Sequence, residues 1–348
     1  MKKSPFTPIS SEARLIKQIT KHTKIKHEST KKGIGDDAAV LGSLKNGEQL
    51  LSTDMLIEGV HFDPAYTPLG HLGYKSIIVN ISDICSMNGV PTHVLVSLGV
   101  PNKYSTEHIE ELYSGVHKAC QNYNIDLIGG DTTSSPTGLI ISVTIFGDSE
   151  DRPITYRHGA GSNDILLVSG SLGGAYLGLQ ILEREKEIFN KNNKSQPVLD
   201  KYQHVLERQL KPEARTDAIS IFKELKITPT SMIDISDGLS SDVAHICSSS
   251  NVGVKIFEDK IPISKESQRV CEELQISPTI CALHGGEDYE LLFTLSPKDY
   301  SKITHIEEFA PIGHVTSGSD IELVSKLGEP ISLIDEGWDS FLRKKQNI

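Results

Sequence analysis

Met232-Ile233-Asp234-Ile235-Ser236-Asp237-Gly238-Leu239 begins as a short apolar run, breaks off at acids and passes into a helical pattern. Read as a central strand feeding a helix, it makes the second half of the chain a mixed α/β unit. Three further runs break off at aspartate: Gly35-Asp36-Asp37, Leu50-Leu51-Ser52-Thr53-Asp54 and Ile125-Asp126-Leu127-Ile128-Gly129-Gly130-Asp131. Strand ends are where a fold presents functional side chains. Carboxylates there, beside Ser and Thr, are the hard oxygen ligands that Mg²⁺ prefers. One such acid is accounted for by a turn or a helix cap. The repetition, with Asp83 added by a helix over 72–88, points to a cluster holding several divalent ions, and such clusters suit phosphate.

Working outward, 12–20 has helical spacing, 38–41 and 49–52 read as strands, and Asn80 and Asp83 share one helix face. A strand over 94–100, a helix capped near Ser105 or Thr106, and strands leading into Gly129-Gly130-Asp131 and over 139–146 complete the first half. That half lacks a simple βαβ alternation, which favours α+β. The boundary is placed at 148–153, giving domains 1–150 and 151–348. In the second domain strands are expected at 165–169, 232–235, 252–256, 291–295, 311–315 and 321–324, with helices from Ala175, over 214–225 and over 239–247.

The chain has 348 residues and a formal net charge of -11. An acidic balance argues against a nucleic-acid partner, which calls for a basic face. No apolar run approaches the roughly 20 residues of a membrane span, and no apolar stretch follows the basic N-terminus, so neither a membrane segment nor a secretory signal is expected. Five widely spaced cysteines, none in a C-x-x-C pair, read as reduced thiols of a cytoplasmic protein.

Several stretches carry candidate chemistry. In Gly33-Ile34-Gly35-Asp36-Asp37-Ala38 the paired acids repel unless a cation lies between them; a plain acidic hairpin is the alternative. The start of the helix after Asp234-Ile235-Ser236-Asp237 suits an anion, so Ser236 is expected near a phosphate and the acids near its magnesium, unless Ser236 or Asp237 is simply the N-cap. Gly170-Ser171-Leu172-Gly173-Gly174 has neither the Lys of a P-loop nor Rossmann spacing, and reads as a tight turn. Gly285-Gly286-Glu287-Asp288-Tyr289-Glu290 is open between substrate binding and turn chemistry. His61 follows Asp54 closely enough to meet an anionic substrate. Arg157 is suited to bidentate pairing with phosphate, and Trp338 to stacking or to packing.

Taken in order, these motifs closely resemble the thiamine-monophosphate kinase family, in the superfamily of aminoimidazole ribonucleotide synthetase. The resemblance rests on Gly33 to Ala38, Ser52-Thr53-Asp54 with His61, Asn80-Ile81-Ser82-Asp83, Gly129-Gly130-Asp131-Thr132-Thr133, Asp234 to Leu239 and Gly286 to Leu291. It implies an α+β N-terminal domain paired across a homodimer and an α/β C-terminal domain. It also implies ATP-dependent phosphorylation of thiamine monophosphate to thiamine diphosphate, by direct transfer with several Mg²⁺ ions and no covalent catalytic residue. The implied metal ligands are Asp37, Ser52, Thr53, Asp54, Asp83, Asp131, Asp234 and Asp237. The implied ATP contacts are Tyr113, Gly130, Arg157 and Ser236; the implied substrate contacts are His61, Glu287 and Trp338.

Two departures stand out: a charged connection over 183–206, and Lys211-Pro212-Glu213-Ala214-Arg215 in place of Pro-x-Pro-Arg. Among the alternatives, selenophosphate synthetase needs a reactive residue near the N-terminus, yet the first cysteine is Cys85. The hydrogenase-maturation relative needs a C-terminal cysteine, and the last is Cys281. Aminoimidazole ribonucleotide synthetase is the alternative enzyme, and a nucleotide- or metal-binding regulator the non-enzymatic one.

Overall fold

The computed structural model describes residues 30–32, 35–42, 47–149, 152–191 and 197–333. The expected helix over 12–20, Gly33-Ile34 and Trp338 lie outside them. The first half contains β1 (Thr30–Lys32), β2 (Ala39–Gly42), β3 (Glu48–Ile57), α1 (Leu69–Ser86), β4 (Val90–Val100), α2 (Thr106–Tyr123), β5 (Asp126–Ser134) and β6 (Ile140–Asp148). Its strands form a sheet in the order β1-β2-β3-β6-β4-β5, antiparallel except for β4 with β5. That one parallel pair is bridged by α2, as a crossover connection requires.

The second half contains β7 (Ile165–Ser169), α3 (Gly174–Lys191), α4 (Gln203–Leu210), α5 (Thr216–Leu225), β8 (Ser231–Asp234), α6 (Leu239–Ser250) and β9 (Gly253–Phe257). It continues with α7 (Lys265–Leu274), α8 (Pro278–His284), β10 (Leu291–Leu295), α9 (Pro297–Tyr300), β11 (Phe309–Thr316), β12 (Ile321–Val324) and β13 (Pro330–Ser332). Its sheet runs β13-β12-β9-β11-β7-β10-β8, with β12 and β9 parallel. This is the expected architecture, an α+β unit followed by a mixed-sheet unit.

Two strands differ from expectation in a way that moves the acids. β3 pairs with β6 from Gln49 opposite Asp148 to Ile57 opposite Ile140, so Asp54 lies inside the strand and not at its end. Asp131 likewise lies inside β5. The polar letters in both runs looked like terminators, whereas full-length pairing with a neighbour carries the strands through them. Of the four acidic runs, only the one at Asp234 has its acid as the last residue of a strand.

Helix α1 decides the geometry. Fifteen of its eighteen residues are buried, among them Lys75, Ser76, Asn80 and Ser82. A helix buried all round lies between layers, and one core cluster joins its Ile77, Ile78 and Ile81 to Met232, Leu291 and Phe293 of the second sheet. Phe222, Phe293 and Phe309 pack in the same core at centroid separations of 5.2–5.5 Å, Phe293 edge-on to the other two. On its other flank α1 meets α2 backbone to backbone. A Cβ on Gly73 would stand 1.9 Å from the Leu112 carbonyl oxygen, and one on Gly115 would stand 1.8 Å from that of Gly70. Gly115→Ala is therefore expected to cost about 1–3 kcal/mol or more through overpacking. Urea denaturation measures it, and a loss under about 0.5 kcal/mol would contradict the close approach.

All five cysteines are buried free thiols, as their spacing suggested. No helix among the described residues is long and apolar enough to cross a membrane.

Candidate active site

The polar residues of a buried helix must find partners, and those of α1 find them on the strands that carry the acids. Asn80 accepts from the Asp54 main-chain N–H (3.2 Å) and donates to the Ser76 carbonyl (3.0 Å). Ser82 donates to Asp234 Oδ2 at 2.7 Å. Asp83 accepts from the Ser52 hydroxyl, which also lies 3.2 Å from the Asp37 carbonyl oxygen. The helix thereby draws β3, the turn before β2 and the end of β8 to one point. There Asp37, Asp83 and Asp234 each offer a carboxylate oxygen within 4.8 Å of the others.

These acids repel. Burial first, then Asp54, Asp234 and Asp37, hold the Asp83 carboxyl well above the usual carboxylate range, although the Ser52 hydroxyl opposes the shift. Burial and then Asp37 push Asp234 up to about 7, against the Ser82 hydrogen bond and the charge of Arg157. Clustered oxygen donors under this strain fit a hard divalent cation, and Mg²⁺ suits them by charge and ligand type.

The structure places the other expected residues unequally. Asp54 shares with Ser52 the strand face that also buries Leu50 and Leu56. Thr53 takes the opposite face, because side chains alternate along a strand. Its hydroxyl donates to the Val143 carbonyl (2.9 Å) and meets Thr144 Oγ1 (3.1 Å), away from the acids. Asp131 is exposed on the edge strand β5 and is not part of the compact group. Gly130 beside it has a local packing reason to be glycine, since a Cβ would fall 1.8 Å from the Val96 carbonyl oxygen. Tyr113 packs against the first core from α2, next to His117.

Arg157 is paired with the acids of the turn before β2. Its Nε and Nη2 donate to the two oxygens of Asp37 at 3.1 and 2.6 Å, and its main-chain N–H donates to Asp36 at 3.2 Å. Neither Ser236 nor Asp237 caps α6: the N-cap is Gly238, at φ 109°. Instead the Ser236 carbonyl accepts from the Glu287 N–H at 2.7 Å, which brings the 234–239 and 286–291 motifs side by side. The Gly170–Gly174 turn receives a protein carboxylate, with Asp288 accepting from the Gly173 N–H at 2.6 Å.

Glu287 is held by residues the sequence did not single out. Buried Lys75 of α1 reaches its Oε1 at 2.8 Å and the Gln209 carbonyl at 2.9 Å, while Gln209 Nε2 donates to its Oε2 at 2.8 Å. Lys75 falls among the inward Tyr74, Ile77 and Ile78, a signal that was available in the helical spacing. The 58–68 loop bearing His61 is fixed from α3: Tyr66 donates to Glu183 and Lys186 to Asp63, both at 2.6 Å. The charged start of the 183–206 segment thus fastens the two halves together at this loop. His61 accepts from the Ile57 N–H through Nδ1 at 3.0 Å. In the departing 211–215 motif, Glu213 accepts from Tyr74 and Tyr123, and Arg215 pairs with Glu290 at 2.6 Å.

Comparison with known proteins gives a consistent answer. The AIR synthase related protein N-terminal domain matches residues 35–148, and the C-terminal domain of that family matches residues 161–326. The thiamine-monophosphate kinase of Bacillus subtilis is 33% identical over 340 residues, 95% of this chain and 99% of that protein. That of Aquifex aeolicus is 34% identical over 91% of this chain and 95% of its own length. The solved structure of AaThiL complexed with AMPPCP and TMP aligns at a TM-score of 0.81 with 31% identity, covering 97% of this chain and 99% of that one. With its two matched domains and relatives aligned nearly end to end, the chain belongs to the thiamine-monophosphate kinase family of AIR synthase related proteins.

Proposed function

We propose that this protein transfers the γ-phosphoryl group of ATP to the phosphate of thiamine monophosphate, giving thiamine diphosphate and ADP. The observation that carries this reading is the convergence of Asp37, Asp83 and Asp234, contributed by both halves of the chain, at one partly buried point. Two phosphate anions must meet there, and their repulsion is the obstacle. Bound magnesium supplies charge neutralisation and in-line alignment of the two phosphates.

The residues that would hold several Mg²⁺ ions are Asp37, Asp54, Asp83, Asp131, Asp234 and Asp237, with the Ser52 hydroxyl. Thr53 contributes no hydroxyl to that set, since its side chain belongs to β6 contacts. Tyr113, Gly130, Arg157 and Ser236 are assigned to the nucleotide. Arg157 lies against Asp37, where it offsets part of the acid charge, and its guanidinium is shared between that carboxylate and the transferred phosphate. His61, Glu287 and Trp338 are assigned to the acceptor. Lys75 and Gln209 occupy both Glu287 oxygens and fix its carboxylate. Transfer is direct: a covalent route needs an activated nucleophile, and the acids at hand are engaged in holding cations.

The protein works as a homodimer. The six-stranded sheet packs α1 on one face, whereas Met55 and Ile128 are half-exposed and β5 is an open edge, features that a second copy would cover. The functional division falls near residue 150.

The test is ADP release from Mg-ATP with thiamine monophosphate, with thiamine, or with no acceptor. ADP and thiamine diphosphate should form one for one with the monophosphate alone. Robust turnover of thiamine, or ADP release indifferent to the acceptor, would overturn the assignment.

A further inference from the structure

His61 and Glu287, the described residues assigned to the acceptor, come from opposite halves of the chain, and one helix touches the segments that carry both. At the start of α3 the Gly173 and Ala175 N–H groups donate to the buried carboxylate of Asp288, at 2.6 and 3.3 Å, immediately beside Glu287. Further along, Glu183 accepts from the Tyr66 hydroxyl and Lys186 donates to Asp63, both at 2.6 Å, in the loop that bears His61. Ala175 and Lys186 are about 16 Å apart along the helix axis. Between them Leu177, Ile181 and Leu182 are buried in a core cluster against which Tyr66 also packs. The helix is therefore a fixed spacer and not a free arm.

The loop meets this spacer with its own geometry already set. Phe62 is buried in the first core, and Asp63 Oδ1 closes the next turn by accepting from the Ala65 N–H at 2.8 Å, which leaves Oδ2 for Lys186. Lys186 also lies 3.6 Å from Glu183 and 5.6 Å from the centre of the Tyr66 ring, so two loop residues and two helix residues close one circuit. An isolated surface pair contributes little; Lys191 with Glu187, lying wholly within α3 at 75% and 70% exposure, is of that kind. Lys186 and Asp63 are only 31% and 29% exposed, and they join the two halves. Burial opposes the charge on Asp63, yet the hydrogen bonds from Lys186 and the Ala65 N–H hold its carboxyl below the usual carboxylate range, so the link is ionic at neutral pH. We propose that Glu183 and Lys186, at the start of the charged 183–206 segment, are positioning residues for the acceptor: through Tyr66 and Asp63 they set the distance of His61 from Glu287. This rests on the acceptor assignment made above.

Steady-state kinetics of the full chain, varying thiamine monophosphate and Mg-ATP separately, tests the role beside hydrogen–deuterium exchange of the 58–68 loop. Lys186→Met should raise KM for thiamine monophosphate about tenfold, because a small misplacement of a binding group is costly. Its kcat and its KM for Mg-ATP should stay within about twofold of the parent, and exchange over Ala65–Thr67 should quicken. Lys186→Arg, long enough to reach Asp63, should restore both readouts. Glu187→Gln, which breaks only the exposed pair, should move neither. An unmoved KM for thiamine monophosphate, whatever the melting temperature or the loop exchange does, would overturn the role, as would equal rises in the two KM values. Tyr66→Phe is read in parallel, since it removes the second link without touching α3, and it should raise the same KM. Failure of both Lys186→Met and Tyr66→Phe to fold would assign the circuit to stability alone and overturn the proposal. A parent that does not turn over thiamine monophosphate sinks the acceptor assignment itself, and does so before any variant is compared, so the two failures are distinct.

Discussion

Replacing Asp83 by asparagine is expected to lower turnover at least about a hundredfold, because a metal clamp on phosphoryl oxygens is worth several kcal/mol. At the same time the magnesium-free protein should become more stable. The two effects have one origin. Asp83 is forced against Asp54, Asp234 and Asp37 in a buried setting, so its charge is costly until cations arrive. Asparagine has the same shape, and its amide oxygen still accepts from the Ser52 hydroxyl, so the link between α1 and β3 survives. What is lost is a charged ligand. Turnover by ADP release at saturating Mg²⁺ and melting temperature in chelator measure the two sides. Activity above about a tenth of the parent would refute the ligand role, as would a large drop in melting temperature. Asp54→Asn should behave the same way. Asp131→Asn should lose turnover with no change in stability, since Asp131 is exposed on β5.

Much of this site was legible before the fold was known, and the parts that were not share a cause. Spacing along a helix gave α1 and the common face of Asn80 and Asp83, because the apolar positions Ile77, Ile78, Ile81 and Ile84 repeat strongly. It also held the clue to Lys75. A lysine among inward positions looks like a boundary residue until the second sheet closes over α1 and Glu287 arrives as its partner. Local patterning could not supply that partner, which lies more than two hundred residues away. The polar stretch Ser52-Thr53-Asp54 looked like a strand terminus because its length depends on β6, a distant neighbour. Correcting the strand also corrects Thr53, since period-two alternation puts its hydroxyl on the face opposite Ser52. The guanidinium fork suits Arg157 to an anion, and the fork is used; that it holds Asp37 follows from a juxtaposition no spacing encodes. The helix α7 leaves little trace in the sequence because its buried stripe, Ser267, Val270 and Cys271, is too narrow to stand out.

The stability of the magnesium-free protein should fall as pH rises from about 5 to 7.5, and magnesium should cancel that fall. Asp234 ionises near pH 7 in the folded protein, against 3.8 ordinarily. Below pH 3.8 it is protonated whether the chain is folded or not, and it makes no difference. Between those values the unfolded chain releases the proton while the folded one retains it, so each unit of rising pH favours unfolding. From pH 5 to 7, Asp234 accounts for about 3 kcal/mol, at 1.36 kcal/mol per unit. Asp83 is shifted in the same direction and adds to the slope. Carboxylates held low, such as Asp63 and Asp217, act in the opposite sense but titrate below this range. Bound Mg²⁺ takes the place of the retained protons, so its stabilising effect should grow with pH and its binding should release protons to buffer near neutrality. Denaturation in chelator and in Mg²⁺ at pH 5.5 and 7.5 measures the effect, with Asp234→Asn isolating the contribution of that carboxyl. A pH-independent magnesium effect, or an unchanged slope in Asp234→Asn, would show that the acids at the foot of α1 are not the groups that cations replace.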